Sequence, residues 1–516
     1  AAGRSAAART AATPYHPGGP CPPRRSAART RATAGVDAPG EGVARKKVSI
    51  VQMGCPKNVV DGEVMLGDLY NNGFDVIADH EQADAVMINT CAFVEDAKND
   101  SIQAILDAAA MGKESGKKVV VTGCLAQRYG EELAESLPEA DIVMGFEKYS
   151  TLPETLKAAL GGTAERAPGD RVHVGSATVP FRLETNRPMR LTPDHLAYLR
   201  VAEGCDHKCT FCAIPGFRGK FRSKPWDAVV DEAKALAAMG VKELNLIAED
   251  TNQYGMDIKA DGRGLAELLW ELNEIEGIEW IRILYAYPSY FSEELVKAIA
   301  EVPKVVKYID IPLQHIANIT LLSMNRPPQQ HTMDLLNRLR DGIPGLCLRT
   351  TFISGFPGES EADHRELVNF VKEFKFERLG VFAYSEEDGT PAAEYDTQID
   401  PEVREARRDE IISLQQDIQS GFARGRVGTE VDVIVDGYDE DGQVRRELQT
   451  FAHHPAGQSA CRAGNPAIMT APLAPLPPPP RWLGALRTRP RILTPSCSSP
   501  TTPTTRRWQS ARCASA

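Results

Sequence analysis

From Lys47 onward the chain alternates short apolar runs with longer amphipathic stretches, the pattern of strands followed by helices. Lys47–Met53, Ala85–Asn89 and Val119–Thr122 read as buried strands of one parallel sheet. After Tyr198 a second series begins, with strands expected at Leu199–Glu203, Glu243–Ala248, Trp280–Tyr285, Val306–Pro312, Leu348–Ser354 and Leu379–Tyr384. Amphipathic stretches such as Trp226–Met239 and Glu361–Phe374 lie between them. The pattern predicts an α/β chain: an open parallel α/β sheet domain, then a parallel sheet curling into a partial (β/α)6 barrel. Arg426-Val-Gly-Thr-Glu-Val-Asp-Val-Ile-Val-Asp436 alternates as one further strand.

The two ends break this pattern. Residues 1–36 hold six Arg and no Lys, Asp or Glu. Residues 452–516 hold eight Arg, again without Lys, Asp or Glu, and 12 of the 36 prolines. The start has the composition of an organelle transit peptide and lacks a long apolar core, while the tail cannot bury a core of its own. The 516 residues therefore divide into a disordered leader (1–44), a first α/β domain (45–160), a linker (161–189), the barrel domain (190–424), a partial β segment (425–451) forming at most a hairpin, and a disordered Pro/Arg-rich tail (452–516). With no run of 18 apolar residues, a membrane-spanning helix is excluded. Setting aside the fourteen terminal arginines turns the formal charge of −11 into −25 on residues 37–451. Such an acidic surface favours a basic protein partner over nucleic-acid phosphates.

Of the 11 cysteines, Cys21, Cys461, Cys497 and Cys513 lie in the two ends. The other seven, in a large chain without a secretory signal, read as metal ligation or redox chemistry rather than disulfides. Cys205-x3-Cys209-x2-Cys212 follows the first barrel strand. Three thiolates within eight residues can hold three irons of a 4Fe-4S cluster and leave the fourth open to a substrate or cofactor. Zinc is the alternative, but a structural zinc site takes four ligands, usually as two pairs, and His207 stands at an unsuitable offset. Cys55, Cys91 and Cys124 each stand just past a strand of the first sheet, spaced by 36 and 33 residues, about one βα unit each. Singly, each would read as a small buried residue. Together they meet at one sheet edge, where open α/β sheets assemble ligand sites, and predict a second metal or cluster site. Cys347 sits inside an apolar strand and reads as core. Glu249-Asp250-Thr251, Gln314-His315 and Gly355-Phe-Pro-Gly-Glu359 follow the second, fourth and fifth barrel strands, at the edge where barrels keep their sites. Taken one at a time they would pass as turn residues.

The segment Cys205–Cys212, with Phe211 before its last cysteine, resembles the signature of the radical S-adenosylmethionine (SAM) enzymes. The resemblance implies that SAM chelates the open iron and that one electron cleaves it to a radical able to remove hydrogen from an unactivated C–H bond. It also implies SAM contacts at Phe211 and at Glu249, on the amino group, with Ser354 and Gly355 near the adenine. Over roughly residues 45–450 the two tri-cysteine sites resemble the methylthiotransferases, which insert a methylthio group into a C–H bond. In that family the first site holds a second 4Fe-4S cluster that carries the sulfur, so the cofactors implied are two 4Fe-4S clusters and SAM. No catalytic residue beyond the cluster ligands is implied.

Gly54-Cys-Pro-Lys-Asn-Val-Val-Asp61, Asn89-Thr-Cys-Ala-Phe-Val94, Cys212-Ala-Ile-Pro-Gly-Phe-Arg-Gly219 and Tyr308-Ile-Asp-Ile-Pro-Leu-Gln-His315 are similar to the branch that modifies an aspartate of the small-subunit ribosomal protein S-twelve. Glu249 stands where that branch usually has Gln, and Asn252 where it often has Thr. The resemblance makes that ribosomal protein, free or within the ribosome, the substrate, with a reducing electron donor as a second partner. The alternatives are the same chemistry on tRNA adenosine (isopentenyladenosine or threonylcarbamoyladenosine), or a non-catalytic iron–sulfur protein docking to ribosomes. Residues 425–451 resemble the opening of the family's small β-barrel (TRAM) domain, here truncated. The core is of bacterial, cytoplasmic type; a transit peptide would place it in a plastid or mitochondrion.

Overall fold

The computed structural model describes residues 45–161, 168–181, 187–258 and 262–434, and short strands at 437–438, 444–445 and 468–472. The expected leader, and the tail apart from residues 468–472, lie outside the described residues.

The first domain runs β1 (Lys47–Gln52), α1 (Pro56–Asn71), β2 (Asp75–Val76), β3 (Ala85–Thr90), α2 (Glu95–Ser115), β4 (Lys118–Thr122), α3 (Gly123–Ser136), β5 (Ile142–Met144), α4 (Leu152–Gly161), α5 (Pro168–Arg171) and β6 (Val172–His173). Its six strands pair in the order β2-β1-β3-β4-β5-β6, every pair parallel. All six residues of β3 are buried. Alternate residues feed two cores: Met87 and Val120 on one face, Val86, Ile88, Val119 and Val121 on the other. A sheet covered on both faces is why these strands read as unbroken apolar runs. Strands β2, β5 and β6 are too short to leave such a run. The stretch expected as linker, 161–189, contributes α5 and the edge strand β6. The cause is Arg171, whose guanidinium donates to the carbonyls of Ala134 (2.7 Å), Pro138 (3.0 Å) and Ala140 (2.7 Å) and ties this segment to the end of α3.

The second domain contains β7 (Leu196–Arg200), β8 (Ala202–Glu203), α6 (Ile214–Arg218), β9 (Arg222–Ser223), α7 (Trp226–Ala238), β10 (Glu243–Ile247), α8 (Leu265–Asn273), β11 (Trp280–Ile283), α9 (Glu293–Glu301), β12 (Val305–Asp310), α10 (Asn318–Ser323), α11 (Gln329–Gly342), β13 (Cys347–Ser354), α12 (Glu361–Phe374), β14 (Arg378–Ala383) and α13 (Pro401–Gly425). Six strands pair in the order β14-β13-β12-β11-β10-β7, all parallel, which is chain order across an open, partial barrel. The first strand ends at Arg200 rather than Glu203. Ala202 and Glu203 leave the sheet to pair antiparallel with Ser223 and Arg222. Gly204 makes that exit possible: its φ is +76°, and a Cβ there would lie 2.1 Å from the Lys220 carbonyl oxygen. Cys347 is buried beside Val306 and Tyr308.

Beyond α13, β15 (Glu430–Ile434) pairs antiparallel with β18 (Ile468–Pro472), and β16 (Gly437–Tyr438) with β17 (Val444–Arg445). Among the described residues these are two separate two-stranded ladders, and no barrel closes. Within the stretch expected as tail, residues 468–472 pair along the edge of β15. No helix of the described residues is long and apolar enough to cross a membrane.

The first domain docks on the barrel through the opening turns of α1, α2 and α3, which follow the carboxyl ends of β1, β3 and β4. Asp61 of α1 pairs with Arg200 (2.5 Å) and Arg218 (2.9 Å). Glu63 pairs with Arg187 (3.0 Å), and Arg187 with Glu232 (2.7 Å). Lys98 of α2 (3.2 Å) and Arg128 of α3 (2.9 Å) share Glu387, beyond β14.

Candidate functional site

Cys55 caps the start of α1, its carbonyl accepting from the Val59 N–H at 3.1 Å. Cys91 follows β3, and Ser101 holds both its N–H (3.0 Å) and its carbonyl (3.1 Å). Cys124 lies in the first turn of α3. Asn58 ties these turns together: its side-chain amide donates to the Thr90 carbonyl (2.7 Å), and its own carbonyl accepts from Asn89 (2.7 Å). Burial pushes the Cys124 thiol up to about 12; Arg218 opposes this, while Cys55 and Cys91 add to it. Burial also raises Cys91, again with Cys55 adding. The three thiols thus feel one another across a single sheet edge. A metal binding at Cys91 and Cys124 would displace these protons, since thiolate is the form that ligates.

Cys205, Cys209 and Cys212 lie on the loop between β8 and α6. The loop is pinned by the Cys205 N–H on the Gly219 carbonyl (3.0 Å) and the Cys212 N–H on the Cys209 carbonyl (3.1 Å). Burial pushes both the Cys205 and Cys212 thiols up to about 12, with the neighbouring thiols adding to it. Arg326 Nη1 points at Cys209 Sγ from 3.6 Å, and its guanidinium lies 4.1 Å from the Tyr287 ring centroid. That ring stacks on His207 at 3.5 Å, and His207 Nε2 lies 2.7 Å from Asp250. His207, the one candidate for a zinc ligand, is turned to a carboxylate instead. Among the described residues no three His, Cys, Asp or Glu side chains close on a single ion position. A cubane cluster imposes no such convergence, because each thiolate binds a different iron.

The four expected SAM contacts divide two and two. Glu249 is nearly enclosed, yet both its carboxylate oxygens lack a hydrogen-bond donor among the described residues, and Arg218 Nε stands off at 3.9 Å. The Ser354 hydroxyl, at the end of β13, is likewise buried without a partner. Unsatisfied buried acceptors cost free energy and point to a ligand that brings its own donors, as an amino-acid ammonium does. Gly355 has a packing reason to be glycine: φ is +72°, and a Cβ would lie 2.4 Å from the Arg404 side chain. Phe211 packs against the apolar cluster of Met324, Phe356 and Tyr384. Thiols in threes with orphaned acceptors beside them fit the cluster-and-SAM donor set.

Reasoning from the sequence passed over Lys57, Asn58, Asp61 and Arg218. Arg218 joins the two cysteine sites. Fully buried, its guanidinium donates to Asn58 Oδ1 (2.7 Å), Asp61 (2.9 Å) and Glu203 (3.2 Å), and lies 3.7 Å from Cys124 Sγ. The signal was present: Asn58 and Asp61 are one helical turn apart just after Cys55, and Arg218 follows Cys212 on the next helix.

The family described as uncharacterized protein family UPF0004 matches residues 47–145, and the radical SAM superfamily matches residues 199–371. Among the chain's relatives are proteins named ribosomal protein uS12 methylthiotransferase RimO. That of Desulforamulus reducens is 44% identical over 75% of this chain and 86% of its own length. That of Clostridium perfringens is 43% identical over 79% and 90%. That of Geobacter sulfurreducens is 42% identical over 82% and 94%. Among solved structures, the radical SAM methyltransferase TsrM of Kitasatospora setae, with tryptophan and a SAM analogue bound, aligns with a TM-score of 0.50 at 14% identity. The alignment covers 78% of this chain and 85% of that one, a likeness of fold alone.

Proposed function

The chain belongs to the ribosomal protein uS12 methylthiotransferase family, and from that premise we propose how its two cysteine sites serve the reaction. It is a radical SAM enzyme, and its substrate is an aspartyl side chain of uS12, whose β-carbon receives a methylthio group. Cys205, Cys209 and Cys212, in the 190–424 domain, would hold the cluster that binds SAM. Cys55, Cys91 and Cys124, in the 45–160 domain, would hold a second cluster that handles sulfur. When bound, the cluster with SAM supplies hydrogen abstraction from an unactivated C–H bond, chemistry that no side chain here possesses. The chain's own part is placement. Glu249 offers the SAM ammonium two carboxylate oxygens that lack a hydrogen-bond donor, and Ser354 a hydroxyl to the rest of the molecule.

One observation carries the reading: Arg218 stands 3.7 Å from Cys124 Sγ and 3.9 Å from Glu249, so the two sites adjoin across one buried side chain. Sulfur and radical chemistry must reach the same carbon, and adjoining sites meet that need. A reducing electron donor is required as a second partner. The bacterial relatives favour a cytoplasmic setting, and a plastid or mitochondrial address would rest on residues 1–44.

Anaerobic reconstitution tests the assignment. Wild type should take up about eight irons per chain, form 5′-deoxyadenosine from SAM and add a methylthio mass to uS12. Replacing Cys55, Cys91 and Cys124 by Ala should remove about half the iron and abolish sulfur insertion. Retained SAM cleavage after replacing Cys205, Cys209 and Cys212 would overturn the proposal, as would modification of tRNA nucleosides in place of uS12.

A further inference from the structure

We propose that Lys57 is the specificity-determining residue that receives the substrate's carboxylate, an inference resting on the function proposed above. Lys57 is the second residue of α1, two positions past Cys55, and is only 6% exposed. A cation there opposes the positive end of the helix dipole and has given up its hydration, so packing and helix stability do not account for it. Among the described residues it makes no ion pair. Its ammonium lies 3.6 Å from the centroid of the Tyr285 ring. A ring face steadies a cation without neutralising it, which leaves the charge available to an anion.

Tyr285 is held in place to present that face. It adopts φ +60°, a left-handed conformation costly for a side chain of its size, just beyond the end of β11. Its carbonyl accepts from the Thr251 N–H (2.9 Å), and its N–H donates to Asp310 (3.3 Å), which is itself paired with Arg349 (2.5 Å). Burial disfavours the Lys57 ammonium, but Tyr285, Glu249 and Cys55 favour it and outweigh both burial and the opposing Arg218. Lys57 stands two residues past Cys55 and against Tyr285, whose carbonyl is held by Thr251 two residues past Glu249, so it adjoins both the residue proposed for SAM and a cysteine proposed for sulfur, where the reacting carbon must come.

The carbon to be modified on an aspartyl side chain bears its carboxylate on the adjacent atom. Bringing that carbon into an enclosed site forces the anion out of water, which is unfavourable unless a cation meets it. An uncharged hydrocarbon substrate would leave Lys57 unmatched, and a site built for a charged group rejects analogues that lack it.

The test uses reconstituted holoenzyme and uS12 carrying either the target Asp or Asn in its place, with the dissociation constant and KM measured for each. Wild type should favour Asp over Asn by roughly thirtyfold or more. Lys57→Met should lose most of that preference through weaker binding of the Asp substrate, while its iron content and cluster spectra match wild type. Lys57→Arg should keep the preference. A wild-type Asp/Asn ratio near one, or an iron-replete Lys57→Met with the wild-type ratio, overturns the inference. Should Lys57→Met fail to load iron, the wild-type ratio and Lys57→Arg decide it. Wild type that transfers nothing to uS12 instead overturns the proposed function, and this inference with it.

Discussion

Arg218→Met retains much of the side chain's length but removes its guanidinium. In the native protein that group serves Asn58 (2.7 Å), Asp61 (2.9 Å) and Glu203 (3.2 Å) and lies 4.6 Å from the Phe146 ring centroid. Every one of these partners is buried. Asp61 sits in a dry setting that would push its carboxyl up, but Arg200 and Arg218 outweigh this and hold it below the usual carboxylate range. Without Arg218, Arg200 alone must serve both Asp61 (2.5 Å) and Glu203. Removing one partner from a buried ion network costs about 3–5 kcal/mol, and the surviving arginine places this case near 3 kcal/mol. That is roughly a hundredfold in equilibrium constant. Because Asp61 belongs to α1 and Arg218 to α6, the loss falls on the docking of the first domain against the barrel. Equilibrium urea unfolding of the apoprotein, followed by far-ultraviolet circular dichroism, should show the loss as a lower midpoint. Asp61→Asn should then cost less in the Arg218→Met background than in wild type, by about 1 kcal/mol or more. Stability within about 0.5 kcal/mol of wild type, with additive single-mutant effects, would refute the reasoning.

Three further outcomes are expected. Gly123→Ala should disturb the Cys124 turn, because φ is +90° and the new Cβ would lie 2.4 Å from the Thr90 carbonyl; iron analysis should show a deficit with SAM cleavage retained, and full iron loading would count against it. Glu249→Gln removes the charge offered to an ammonium group and should weaken SAM binding by about tenfold to a hundredfold in titration calorimetry, whereas an unchanged affinity would remove Glu249 from the site. Glu359 is pushed up by burial but pulled further down by His315, Arg407 and the Gly355 N–H. Its folded-state pKa is therefore depressed, so its contribution is complete above the unfolded carboxyl's pKa and is lost as pH falls through the lower folded value. The stability difference between wild type and Glu359→Gln should accordingly shrink on acidification below about pH 4, and a difference independent of pH would contradict the sign.

The order of the βα units was legible because parallel strands covered on both faces leave apolar runs, as Val119, Val120 and Val121 do by feeding alternate cores. The cysteine edges were legible for the same reason, since each cysteine follows such a run. What escaped was short or distant. Strand β6 is two residues held at a sheet edge by Arg171, whose acceptors lie more than thirty positions upstream. The Arg218–Asp61 contact spans 157 residues, a separation that no local period encodes. Gly355 matched a family pattern, yet its glycine is required by Arg404, 49 positions away on α13. Local patterns register burial and turns; they carry no information about which charges meet across a docked interface.

The same limit bears on the acidic total. A charge of −25 on residues 37–451 acts at long range and draws a basic ribosomal protein toward the surface. Yet three buried cations stand at the inner site: Lys57 two residues past Cys55, Arg218 beside Cys124 and Arg326 beside Cys209. These two fields are complementary. Steering by the surface raises the encounter rate and weakens with salt over a Debye length of about 10 Å. Buried cations are screened far less and discriminate what enters after encounter. If both act, added salt should raise KM for uS12 in wild type and in Lys57→Met by similar factors, leaving the Asp/Asn preference of wild type nearly unchanged. A preference that collapses with salt would place Lys57 at the surface field instead, and separate the recognition of the carboxylate from the buried cation that motivates it.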